Sequence, residues 1–170
     1  MSDWPAGQHL GSIYDALYLS LGEGASRAHR DAFVVRLHYA SRAFGALALE
    51  LREVQANASA DTAPDALVYA VMANSLAEDD SGALALYALA MVVGPRLLVT
   101  LRDYLESEVN VTRRKILSHG SDQVVSEIRA VGTTVANEEP LDDPAWADAA
   151  RAIVDTLDAA GMAESLGQRP

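Results

Sequence analysis

Histidines and carboxylates are the residues with which metal chemistry in a helical protein begins. Di-iron bundles need Glu-x-x-His pairs, because residues three apart project from one face of a helix into the same site. The sequence contains neither such a pair nor the His-Glu-x-x-His motif of the zinc proteases. His119 and Asp122 have a related spacing, but Gly120 lies between them, where a helix can end. We therefore predict no metal site and no cofactor.

Two groups of acidic residues could bind magnesium together with a phosphorylated substrate. Glu50 and Glu53 are three residues apart, and three consecutive acids follow at residues 78–80. This arrangement resembles the magnesium sites of all-α nucleotide pyrophosphatases, which hold the metal through carboxylates. A second Glu-x-x-Asp pair on a helix is missing. We therefore interpret these acids as a solvated helix face and as the acidic start of the next helix.

Nucleophilic catalysis and phosphate binding have no complete motif in this chain. The Gly-x-Ser-x-Gly elbow is absent. Gly22-Glu23-Gly24 lacks the third glycine and the preceding strand of a dinucleotide-binding loop. The chain has no cysteine, which excludes thiolate nucleophiles, disulfides and Cys-based zinc sites. The sequence therefore favours a protein that is not an enzyme.

Polar residues on otherwise apolar helices are the better candidates for ligand binding. Arg96 follows Pro95 in the most apolar part of the chain, and burying a guanidinium is costly unless a carboxylate or a ligand meets it. A pocket at this position would use Arg96, Tyr87 and His38 as ligand-binding residues. Alternatively, Arg96 reaches the surface or pairs with Asp103, and His38 is an ordinary core residue. The sequence favours this alternative.

Apolar residues recur at spacings of three and four along most of the chain, which is typical of amphipathic helices. We predict a first helix over residues 3–21, ended by the glycines at 22–24, and a second from residue 26 to about residue 57. A third helix over 66–77 follows a capping box at 62–65. Residues 110–137 form one helix or two. A last helix begins at 143–144, before a loosely ordered tail at 163–170.

The stretch from residue 82 to residue 101 is the most apolar in the chain. Residues 82–93 carry no charge, so a helix formed by them is apolar on every face and must be buried. A membrane span needs roughly twenty apolar residues, whereas Gly94-Pro95-Arg96 interrupts this run. Pro95 lacks the N–H that would bond Met91, so a kink or a new helix start is expected. We predict an all-α, single-domain bundle of about six helices, residues 1–162, around this buried, Pro-kinked central helix.

The second predicted helix carries a coiled-coil-like seam, because its apolar residues alternate spacings of three and four over more than two heptads. Small residues beside the seam would let another helix approach closely. We therefore predict a homodimer. Its predicted interface residues are Leu37, Phe44, Leu47 and Leu51.

The charge of the chain limits its partners. There are 24 acidic and 13 basic residues, which give a formal net charge of −11 at pH 7. Such a chain repels phosphate backbones and anionic membranes, so we expect neither nucleic acid nor a membrane as partner. The first residues lack the basic and apolar regions of a signal peptide, which favours a cytoplasmic location.

Together these patterns predict a non-enzymatic interaction or regulatory module that self-associates through helical packing. The seam and the lack of a complete catalytic motif support this interpretation. The alternative is a small-molecule-binding helical bundle, or an enzyme, with its pocket at the Pro95 kink.

Overall fold

The computed structural model of the chain describes residues 4–55, 63–78 and 82–138, together with residues 148, 151, 152 and 155. All regular elements in these residues are helical, which confirms the predicted all-α, single-domain bundle. They are α1 (Pro5–Arg27), α2 (Asp31–Val54), α3 (Ala66–Glu78), α4 (Ala83–Ala88), α5 (Gly94–Ser107) and α6 (Val111–Glu138). A π-helical turn, Leu89–Val93, joins α4 to α5. The long helices α1 and α2 form the most extensive pair.

The first helix is longer than predicted, because α1 continues through Gly22 and Gly24 to Arg27. A Cβ atom on Gly24 would lie 2.8 Å from the side chain of Leu76, and one on Gly22 would lie 3.1 Å from the Ser41 hydroxyl. These glycines therefore let α2 and α3 approach α1 closely and do not end the helix. The predicted boundary at residues 22–26 is wrong, and α2 begins at residue 31.

The start of α3 is capped by Asp65. Its Oδ1 atom accepts the backbone N–H groups of Leu67 and Val68, each at 3.0 Å. Asp65 is thus the N-cap itself and not the reciprocal residue of a capping box begun by Thr62, which lies outside the described residues. The Asp65 N–H also donates to the carbonyl of Ser12 at 2.9 Å, which ties α3 to α1.

Gly82 begins the central helix in a left-handed conformation, with φ of +91°. A side chain there would be strained, and its Cβ atom would also lie 2.8 Å from Leu37 and 3.2 Å from Ala28. Glycine at this position therefore meets two requirements at once. It permits the turn into α4, and it leaves room for the start of α2.

The predicted interruption at Pro95 takes the form of the π turn, not of a new helix start. The N–H of Gly94 donates to the carbonyl of Leu89, five residues earlier, so the ladder is already displaced where Pro95 lacks a donor. A Cβ atom on Gly94 would lie 2.6 Å from that same carbonyl oxygen and 2.7 Å from Ile128. Glycine therefore allows α6 to cross the helix at this turn.

The central helix is buried by its neighbours, as predicted. Ala83–Ser107 is long and apolar enough to cross a membrane by length and composition, yet 67% of its apolar window is buried inside the fold. Such burial is typical of the core helix of a globular protein.

Of the two possibilities for residues 110–137, one helix or two, the structure shows one. Helix α6 runs without a break from Val111 to Glu138. Gly120 does not end it. A Cβ atom on Gly120 would lie 2.7 Å from the Tyr14 hydroxyl, so this glycine lets α6 lie close to α1.

Only part of the last predicted helix can be compared with the structure. Residues 148, 151, 152 and 155 are helical and exposed, and their spacing places them on one helix face. The remainder of that helix and the tail at 163–170 lie outside the described residues.

Candidate functional site

The seam of α2 lies inside the bundle. The exposed fractions of its predicted interface residues are 0% for Leu37, 1% for Phe44, 5% for Leu47 and 2% for Leu51. The Phe44 ring lies 6.1 Å from the ring of Tyr14 in α1. These four residues therefore belong to the core of one chain, and a second copy cannot reach them. Any interface between copies uses a different surface.

The three predicted ligand-binding residues lie on three different helices. Arg96 and Tyr87 are half-buried, on α5 and α4, on either side of the π turn, and His38 is exposed on α2. Neither of the two clefts described below is lined by any of them. Asp103, the expected partner of Arg96, is 3.5 Å from the guanidinium of Arg102. A pocket at the Pro95 kink stays a prediction.

A second row of side chains runs along α2 on its solvent side, and we call it the outer row. Its members are all exposed, and they alternate spacings of four and three as the seam does. The side chains of Val35, Tyr39 and Leu49 are 51%, 56% and 55% exposed. The complete outer row is Val35, Tyr39, Arg42, Ala46, Leu49 and Glu53.

Sequence reasoning missed the outer row, although its spacing is visible in the sequence. Arg42 and Glu53 interrupt its apolar character, whereas the seam is apolar throughout. The available signal was that the same alternation of four and three can be started at Val35 as well as at Leu37. A helix with two such rows has one face for its own bundle and one face toward solvent.

Helix α1 extends this apolar surface. Tyr18 and Leu19 are 45% and 41% exposed. A Cβ atom on Gly45 would lie 2.7 Å from the Tyr18 ring, so that ring rests directly on the backbone of α2. A cleft of about 580 Å³ lies between the two helices. Its lining residues are Asp15, Tyr18, Leu19, Arg42, Gly45, Ala46, Leu49, Arg52 and Pro64.

An ion pair lies in this cleft. The Asp15 side chain is only 13% exposed, and Nη2 of Arg52 donates to both of its carboxylate oxygens, at 2.6 and 2.5 Å. Such close, charge-assisted bonds neutralise the buried carboxylate. The cleft therefore presents apolar side chains beside a neutralised pair, with Arg42 as a further positive charge.

A second, smaller cleft of about 360 Å³ lies between the start of α2 and the end of α6. Arg36, Val35 and Thr134 are among its lining residues. Within the described part of the chain, Nε of Arg36 and Oε2 of Glu127 are buried without a hydrogen-bond partner. Burial raises the pKa of Glu127, and the charge of Arg36 partly opposes that rise. Because neither buried polar atom has a hydrogen-bond partner, this contact between α2 and α6 costs stability.

The remaining polar contacts hold helices together. His119 Nδ1 lies 2.7 Å from Glu50 Oε2 and links α6 to α2. His9 Nδ1 lies 2.6 Å from the Tyr104 hydroxyl and links α1 to α5. Burial, with a smaller effect of Glu50, raises the pKa of Tyr14, so its phenol stays protonated. The two histidine contacts thus each join a pair of helices in the bundle.

Metal binding has no candidate among the described residues, where no three His, Cys, Asp or Glu side chains are grouped closely enough to hold an ion. Comparison with known protein families, curated proteins and solved structures finds no match.

Proposed function

We propose that this protein is a non-enzymatic helical interaction module that self-associates through the outer row of α2 and the adjoining residues of α1. The observation that carries the proposal is the exposed apolar surface that Leu49 of the outer row forms with Tyr18 and Leu19 of α1 around one cleft. Contiguous apolar surface of this kind is characteristic of interaction sites. The four-three spacing of the outer row fits a helical partner.

Charge supports a second copy of the chain as that partner. Two copies with a net charge of −11 each repel one another over most of their surfaces. The charges of the outer row cancel, because Arg42 is its one basic residue and Glu53 is its one acidic residue. Beside it, Arg52 and Asp15 neutralise each other. This face is therefore one on which two acidic molecules can meet without a large electrostatic penalty.

A cytoplasmic location is part of the same proposal, with a protein and neither nucleic acid nor a membrane as the partner. The acidic balance of the chain supports it, because anionic polymers and surfaces repel such a protein. Fractionation of cells that express the protein tests the location, and recovery in the membrane fraction would contradict it.

Light scattering coupled to size-exclusion chromatography tests self-association. We expect the wild-type protein to have twice the chain mass of 18.1 kDa at micromolar concentrations. Leu49→Asp places a charge in the apolar surface and should give the monomer. The matched control is Val99→Asp on α5, where Val99 is 41% exposed but lies outside the surface. A wild-type protein that is strictly monomeric contradicts the proposal.

A further inference from the structure

We infer that the two copies pair through antiparallel α2 helices, with each Arg42 opposite Glu53 of the partner copy. This inference rests on the proposed self-association and specifies its geometry. It follows from three properties of the outer row: the spacing of its members, the position of its two charges and the size of the side chains between them.

Spacing restricts the possible arrangements. In a coiled-coil numbering of the outer row, Arg42 and Leu49 occupy one type of core position, and Ala46 and Glu53 occupy the other. A parallel, in-register pair places each residue opposite its own copy. Arg42 then faces Arg42 and Glu53 faces Glu53, so both charged layers are repulsive. An antiparallel pair places residues of one type opposite residues of the other.

Charge selects one antiparallel register. If Arg42 faces Ala46 of the other copy, the two Arg42 side chains occupy neighbouring layers, and both Glu53 side chains face Val35. If Arg42 faces Glu53 of the other copy, both charges of each helix are paired with opposite charges. Complementary charges at helix interfaces commonly set orientation and register in this way. Among the antiparallel registers that the spacing allows, only this second one pairs both charges of each helix with opposite charges, and it is therefore the favoured one.

Side-chain size fits the same register. Between the two Arg42–Glu53 layers, Leu49 of each copy faces Ala46 of the other. A large residue opposite a small one fills space without separating the helices. Tyr18 and Leu19 of α1 line the same cleft as Ala46 and Leu49. They therefore border the two central layers and widen the contact beyond a single pair of helices.

Charge reversal tests the pairing. Arg42→Glu brings two acids together in each outer layer, and Glu53→Arg brings two arginines together. We expect each single variant to raise the dimer dissociation constant by about tenfold or more, and the double variant to recover most of the wild-type value. Arg42 and Glu53 are separated by about 16 Å along one helix, so recovery cannot come from pairing within a chain.

Matched controls separate the specific pair from net charge. Arg129→Glu on α6 and Glu106→Arg on α5 alter the total charge by the same amounts at other exposed positions. Both should change the dissociation constant by less than about threefold, because charges outside the contact act mainly through the screened field of the whole molecule. Circular dichroism confirms that each variant is folded.

Disulfide trapping provides a second measurement. The chain has no cysteine of its own, so any disulfide must form between the introduced cysteines. A mixture of Arg42→Cys and Glu53→Cys chains should form a cross-linked dimer on mild oxidation. Neither variant should cross-link alone, and Ala70→Cys on the exposed side of α3 is the control.

The outcomes distinguish the two proposals. A dimer whose double charge reversal does not recover affinity, or which cross-links through Arg42→Cys alone, overturns this register and leaves self-association standing. A wild-type monomer overturns both. Recovery in the double variant together with mixed cross-linking supports the antiparallel pair.

Discussion

Arg52 of α2 places Nη2 within 2.6 Å of both carboxylate oxygens of Asp15 in α1. The two partners differ in their surroundings, since the Asp15 side chain is 13% exposed and that of Arg52 is 57% exposed. The carboxylate is thus the buried member, and the guanidinium approaches it from the surface. This contact joins α1 and α2, the most extensively packed pair of helices, at the edge of the cleft between them.

Removing the guanidinium should destabilise the bundle, because Arg52→Ala leaves the Asp15 carboxylate buried and uncompensated. We expect a loss of about 1–2 kcal/mol in the free energy of unfolding, measured by urea denaturation. The double variant Asp15→Ala with Arg52→Ala should recover part of that loss. The control is Arg102→Ala, whose exposed ion pair should contribute less than about 0.5 kcal/mol. Equal losses for Arg52→Ala and Arg102→Ala would contradict this account.

Two glycines should respond to alanine with opposite signs. Gly82→Ala forces a side chain into a left-handed conformation and against Leu37, which should lower the unfolding free energy by about 1–3 kcal/mol. Gly132 lies within α6, and a Cβ atom there would meet nothing within 4 Å. Gly132→Ala should therefore raise the unfolding free energy by about 0.5–1 kcal/mol. Thermal and urea denaturation measure both, and a stabilising Gly82→Ala would refute the first expectation.

Gly120 and Tyr14 should be coupled. Gly120→Ala places a methyl group 2.7 Å from the Tyr14 hydroxyl, and such overpacking should outweigh the gain in helix propensity, with a net loss of about 1 kcal/mol. In Tyr14→Phe the hydroxyl is gone, and the ring carbon that carried it lies 3.8 Å from the new methyl. The same alanine should then be neutral or stabilising. A double-mutant cycle by urea denaturation measures the coupling, and additive effects would exclude it.

The raised pKa of Glu127 predicts a pH dependence of stability. Because burial disfavours the ionised form in the fold, the folded protein binds a proton more readily at this site than the unfolded chain, whose ordinary pKa is 4.5. This site therefore costs stability at neutral pH, and the cost decreases as the pH falls through the folded pKa. Glu127→Gln should be more stable than wild type at pH 7.

Urea denaturation at a series of pH values between 7 and 4.5 tests this sign. The advantage of Glu127→Gln over the wild type should shrink toward the acidic end of the series. Glu106→Gln, at an exposed position on α5, is the control. An advantage of Glu127→Gln that grows as the pH falls would show that the group is not destabilised by burial.

The helical class of the protein could be predicted from the sequence because apolar spacing and the uncharged run at 82–93 depend on local pattern alone. The positions at which the helices end could not be predicted from the glycine residues. Gly24 and Gly120 resemble stop signals in the sequence, but each faces a side chain from another helix, Leu76 and Tyr14. Whether a glycine ends a helix or admits a neighbour depends on contacts between residues far apart in the chain.

The candidate site illustrates the same difference. A seam of apolar residues predicts that a helix packs against something, and for Leu37 and Phe44 this is correct. It does not identify the neighbouring helix, which here belongs to the same chain. The outer row lies on the exposed face of the same helix, and its two charges made it look like an ordinary solvated face.

The π turn at Leu89–Val93 has a consequence for how the chain tolerates changes in length. A π turn holds one residue more than an α-helical turn. Deleting one residue there leaves the number that an α-helical turn holds, so α4 and α5 can join as one regular helix in which Leu97 and Leu101 still face the core that buries both. Inserting a further residue is not absorbed in this way, and it rotates α5 about its axis by about 100° relative to α4. The segment should therefore accept the deletion of one residue and exclude an insertion.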